Sequence, residues 1–138
     1  MRDYPKIDYE KVDYSSVADE GGVFDTRAYD FILDALVRAE ATARQDSREG
    51  ISSDDVCQAV YSLALDVFGV LAYEVLAAWG LATYSRVRDA MRLLGEARIL
   101  RYLPDDTDTY FWDETSLRDD LESAFDPHAD DGGGEDDF

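Results

Sequence analysis

Histidine, cysteine and clustered carboxylates are the side chains that most often do chemistry, and this chain offers few positions able to hold them for it. His128 is the only histidine and lies in the closing segment PHADDGGGEDDF. A catalytic imidazole needs a fixed partner to orient it, and a polar, glycine-rich tail supplies none. Cys57 is the only cysteine, so no internal disulfide can form. It falls among apolar residues, with the carboxylates of Asp54 and Asp55 beside it opposing a thiolate, and is expected to pack as a small hydrophobe. Asp105, Asp106 and Asp108 cluster in PDDTDT, but the segment lacks the central glycine and the distant glutamate of a calcium loop. Gly132 to Gly134 are ringed by acids and lie outside any strand–loop–helix context, so they make no phosphate cradle. No nucleophile–base pair, metal set or cofactor motif emerges, and the chain is expected to be a non-enzyme with no metal and no cofactor.

Charge is the more informative chemistry. Residues 86–101 carry five arginines (86, 88, 92, 98 and 101) against Asp89 and Glu96, five minus two, or a local charge of +3. Arg88 and Arg92 are four apart and share a helix face. The order helix, tight turn, helix, hairpin matches a winged helix-turn-helix, in which Arg86, Arg88, Arg92 and Arg101 would form a patch against phosphates or guanines. The competing reading pairs Arg86 with Asp89 and Arg92 with Glu96 along the helix surface. A second candidate is a groove lined by Trp79, Tyr84 and Trp112, although a tryptophan at a helix end more commonly packs the core.

Helices must position these residues. Asp25 or Thr26 caps a first helix to about Gln45, with Tyr29, Ile32, Leu33, Leu36 and Val37 at helical spacing. Ser52 or Ser53 caps a second, with Asp55 placed for a capping box and Val56, Ala59, Val60, Leu63, Ala64 and Val67 as its buried stripe. Gly69 is expected to end it in the left-handed conformation. Val70 to Trp79 is apolar nearly all round, which predicts a third helix buried between other elements and ended by Gly80. A fourth runs from about Ser85 to Ala97. RILRYL and YFW on either side of PDDTDT predict a β-hairpin, and Thr115 or Ser116 caps a last helix, about Leu117 to Phe125. The fold class is therefore mainly α, a compact bundle of four to five helices with a small C-terminal hairpin in winged-helix order.

Residues 24–125 form the single folded domain, preceded by a polar arm, 1–23, and followed by a disordered acidic tail, 126–138. Tyr4, Tyr9 and Tyr14 recur every five residues along the arm, a period of neither helix nor strand, and are expected to lie on the domain surface or to serve as a short motif for a partner. Gly21-Gly22 reads as a hinge. The 138 residues hold 32 acidic against 13 basic side chains, a net charge of -19. Aspartates number 23 against nine glutamates, and arginines 11 against two lysines, Lys6 and Lys11. Such self-repulsion opposes a compact state unless screened, and in molar salt the Debye length falls to about 3 Å. The balance predicts a salt-filled cytoplasm. The sequence shows no signal-peptide pattern, and no apolar run of membrane-spanning length is read from it.

The segment AYDFILDAL, followed by LALDVFGVLAYEVLAAWGLATYSRVRDAMRLLGEARIL and closing in LESAF, resembles the Minf-type bacterial family of planctomycete-like genomes. The similarity rests on Phe68-Gly69, on Trp79-Gly80 and on the apolar stretch before the hairpin, and it spans about Phe24 to Phe125. It departs in the fourth helix, where SRVRDAMR stands in place of a more acidic segment. The resemblance implies one domain; the family's function is unknown, so it transfers no site. These readings together predict a protein-interaction or regulatory module with a protein partner or a second copy of itself. A nucleic-acid-binding regulator is the less favoured alternative, and no membrane is expected.

Overall fold

The computed structural model describes residues 14, 17, 22–48, 50–100, 103, 104, 112 and 116–125. Among them the chain is mainly helical: α1 (Thr26–Gln45), α2 (Ser53–Phe68), a 3-10 turn (Gly69–Leu71), α3 (Ala72–Ala78), α4 (Tyr84–Glu96) and α5 (Leu117–Ser123). Gly50 and Leu100 each sit in an isolated β-bridge. The expected hairpin, the acidic turn at Asp105–Asp108 and the tail with His128 lie outside the described residues.

Helix starts follow from side-chain caps. Asp25 accepts the backbone N–H of Arg27, and Ser52 and Asp55 form a reciprocal capping box. Thr83 and Ser116 cap α4 and α5 in the same way. Three helices end in one motif. After α1, Ser47 N–H donates to Arg44 O and Arg48 N–H to Ala43 O; after α3, Gly80 donates to Ala77 and Leu81 to Leu76; after α4, Arg98 donates to Gly95 and Ile99 to Leu94. This paired pattern needs one residue at positive φ, and Ser47 (59°), Gly80 (95°) and Arg98 (64°) supply it.

The core gathers Tyr29, Ile32 and Leu36 of α1, Val56 and Val60 of α2, Tyr84, Val87, Met91 and Leu94 of α4, and Leu117 and Leu121 of α5, with Trp112 fully buried. Helix α1 packs on α2 and α4, and α5 packs on α2 and α3. Asp25 N–H donates to Trp79 O at 3.1 Å, which ties the end of α3 to the start of α1.

Three expectations are corrected. Val67 was placed on the buried stripe of α2 but is 60% exposed, because the stripe continues beyond the neighbours that cover its first half. The apolar segment Val70 to Trp79 is not buried all round: Ala72 and Leu76 are covered, while Val70 and Leu71 are 71% and 52% exposed. Gly69 takes φ 58° with ψ -131°, which is not a left-handed helical cap, and the chain passes straight into the 3-10 turn. As a result Ser53–Ala78 forms 26 helical residues, long and apolar enough to cross a membrane by length and composition alone. Asp66 in this run pairs with Arg38 at 2.7 Å, and its first half packs on α1.

Candidate interaction surface

The arginines of α4 do not form one exposed patch. Helix α4 buries Tyr84, Val87, Ala90, Met91 and Leu94. At about 100° per residue, the point opposite that stripe is occupied by Asp89 and Glu96, with Arg86 and Arg92 on the flanks roughly 120° apart. Arg86 is exposed, Arg92 half-buried, and the Arg88 side chain only 16% exposed. Asp89, expected to pair with Arg86, is instead approached by the Arg88 guanidinium at 3.4 Å. Carboxylates therefore hold the crest of the helix that would have to enter a groove of DNA. Arg101 lies outside the described residues.

The three aromatic residues of the expected groove separate. Trp79 is half-buried, edge-on to Phe68 with ring centroids 5.4 Å apart and to Phe31 at 6.3 Å, and the Arg27 guanidinium lies over its face at 5.5 Å. Trp112 is wholly buried and cannot line an open groove. Tyr84 is buried too, and its phenol donates to Asp120 Oδ2 at 2.7 Å. Burial first, then the Asp120 carboxylate, pushes that phenol well above the usual tyrosine range.

Tyr84 and Asp120 line a pocket of about 240 Å³ between α2, α4 and α5, together with Asp54, Cys57, Gln58, Tyr61 and Ser123. Cys57 is buried, as expected of a packing cysteine. The phenol is engaged by the carboxylate, and among the described residues no cationic side chain lines the pocket to stabilise a thiolate. Among the described residues no group of three or more His, Cys, Asp or Glu is placed to hold a metal.

The features that sequence reasoning missed are apolar. Val67, Val70 and Leu71 occupy positions i, i+3 and i+4 across the end of α2 and the 3-10 turn, all more than half exposed. The three aliphatic side chains lie together on the surface. The signal was present in the hydropathy of the segment, and only the number of neighbours available to cover it was misjudged.

A second feature is a seat on α1. Tyr14 and Val17 are half-buried against the core, joined by a turn in which Val17 N–H donates to Tyr14 O at 3.0 Å. The Tyr14 ring lies 5.1 Å from that of Tyr29, and its hydroxyl donates to Asp30. This agrees with the expectation of a tyrosine lying on the domain surface; Tyr4 and Tyr9 lie outside the described residues. Compared with known proteins, the chain matches no family model, no curated protein and no solved structure.

Proposed function

We propose that this protein is a non-enzymatic interaction module of a salt-rich cytoplasm, binding a protein partner through the exposed aliphatic run Val67, Val70 and Leu71. The single observation carrying this reading is that run, left open on the surface of a chain whose net charge is -19. In molar salt, charged contacts lose most of their reach, while burial of apolar surface does not rest on charge. An apolar face is the contact that keeps its strength there. The Minf-type resemblance belongs to the same proposal; it supports one domain and transfers no site.

The nucleic-acid alternative retains the helix–turn–helix order of α3 and α4. The carboxylate crest of α4 weighs against it, as does the salt sensitivity of phosphate contacts.

The test is capture from a native-salt lysate by the wild-type chain and by the double variant Val70→Asp/Leu71→Asp, whose positions are already exposed. Wild type is expected to retain a partner that the variant loses. Equal recovery by both removes this surface from the account.

A further inference from the structure

The recess between α2, α4 and α5 plays no part in the proposed partner surface. Asp54, Cys57, Gln58 and Tyr61 stand at i, i+3, i+4 and i+7 of α2 and form one wall of it. Tyr84, at the start of α4, and Asp120 of α5 complete it. Depth sorts these residues. Cys57 and Tyr84 are buried and make the floor, Tyr61 and Asp120 are half-buried, and Asp54 and Gln58 are exposed at the rim. The space of about 240 Å³ has room for roughly eight waters at about 30 Å³ each.

The lining carries two carboxylates and, among the described residues, no cation. The groove between α1 and α2 is different. There Arg38 donates to Ser62 and Asp66, and the groove's own carboxylate, Asp55, holds the Arg48 guanidinium at 2.6 Å. In the recess the Tyr84 hydroxyl takes Oδ2 of Asp120 and leaves Oδ1 open. Among the described residues the side chains of Asp54, Gln58 and Tyr61 make no hydrogen bond. Polar groups gathered around one cavity without partners call for a ligand rich in donors, and half-buried carboxylate calls for a positive one.

A metal ion does not answer that call, because the carboxylates and the thiol are not placed as a set of three ligands. An organic cation does. Tyrosine rings and a buried thiol suit an alkyl stem, and tyrosine attracts an ammonium as well. We propose that this recess binds an alkylammonium group, its nitrogen donating to Asp120 Oδ1 and its stem lying against Tyr61, Tyr84 and Cys57. The group comes from a free amine or from a lysine side chain of a partner, and the chemistry is the same for both. This inference stands on the recess alone, apart from the aliphatic run.

Molar salt is a discriminating medium for it. Exposed carboxylates elsewhere on the surface are screened there, charges in a recess are screened much less, and burial of the stem does not rest on charge.

Butylammonium chloride, a blocked lysine (Nα-acetyl-lysine amide) and neutral butanol are titrated into the isotopically labelled full chain in molar KCl and followed by NMR. Butylammonium is expected to shift the amides around Asp54–Tyr61, Tyr84 and Asp120 to saturation, with butanol about tenfold weaker or more. Asp120→Asn keeps an oxygen for the Tyr84 hydroxyl, removes the charge, and should weaken butylammonium about tenfold. Gln58→Lys, at an exposed position, adds a cation to the lining and should block the probe while leaving helicity unchanged. Val70→Asp/Leu71→Asp should bind as wild type does, which separates this inference from the proposed partner surface. A blocked lysine that binds as well as butylammonium assigns the recess to a partner's side chain, and one that is excluded assigns it to a free amine. Butanol binding as tightly as butylammonium overturns the proposal, as do shifts that never saturate or binding indifferent to both Asp120→Asn and Gln58→Lys.

Discussion

Four side-chain oxygens decide where four of the five α-helices among the described residues begin; α3 has no side-chain cap. Asp25, Ser52, Thr83 and Ser116 each accept a backbone N–H two or three residues on, at 2.9 to 3.2 Å. The sequence narrows three of these to adjacent pairs, Asp25 or Thr26, Ser52 or Ser53 and Thr115 or Ser116, because capping needs only a short acceptor before an apolar period. Ser52→Ala should lower stability by about 1 kcal/mol, read as a drop in the melting temperature. Acid acts on the same sites. The Arg27 guanidinium, and then its backbone N–H, hold the Asp25 carboxyl at about 2. Partial burial pushes Asp55 upward, but its bonds from Arg48 and from Ser52 outweigh this and leave it lowered. Both are depressed in the folded state, so their contribution is full above the ordinary carboxylate range and disappears as pH falls through the folded values. Melting temperature should therefore fall steeply below about pH 4, and Asp55→Asn should flatten that slope. Tyr84 shows what was not legible: nothing in its neighbourhood along the chain announces Asp120, 36 positions away. Tyr84→Phe keeps the ring and removes the hydroxyl, and should cost about 1 kcal/mol.

At the scale of elements, the three matching helix ends carry unequal residues. Gly80 suits its positive φ, and a Cβ there would stand 2.2 Å from Val23 O, so Gly80→Ala should destabilise by roughly 2 kcal/mol or more. Ser47 and Arg98 hold the same conformation at a cost glycine would not carry. Arg98→Gly should raise stability by up to about 1 kcal/mol, measured by chemical denaturation. Sequence reading placed the end at Gly80 because glycine signals it. It had no such signal at Ser47 or Arg98, where paired backbone bonds and tertiary packing override residue preference. The misreading of α2 and α3 has a related cause. An apolar period states which side of a helix avoids water, while the length of neighbour available to cover that side is a property of the packed bundle. Val67 keeps the period of Val60 and lies beyond the cover.

For the whole molecule, the charge of -19 was legible from composition, and self-repulsion on that scale predicts a dependence on salt. Helicity followed by circular dichroism should fall as KCl is diluted from molar to millimolar, because repulsion among the carboxylates is no longer screened. The arginine-rich stretch looked like a functional patch in one dimension. Wrapped on α4, Arg86 and Arg92 fall to the flanks of Asp89 and Glu96, and Arg88 is mostly covered, with its guanidinium 3.4 Å from Asp89. The aliphatic run Val67, Val70 and Leu71 is open to solvent, and on the proposed function it binds a partner by apolar contact rather than by charge. Partner capture measured across a KCl titration tests this most directly. Capture is expected to strengthen or hold toward molar salt, to contain protein, and to be lost in Val70→Asp/Leu71→Asp; capture strongest at low salt and carrying nucleic acid would overturn the apolar reading.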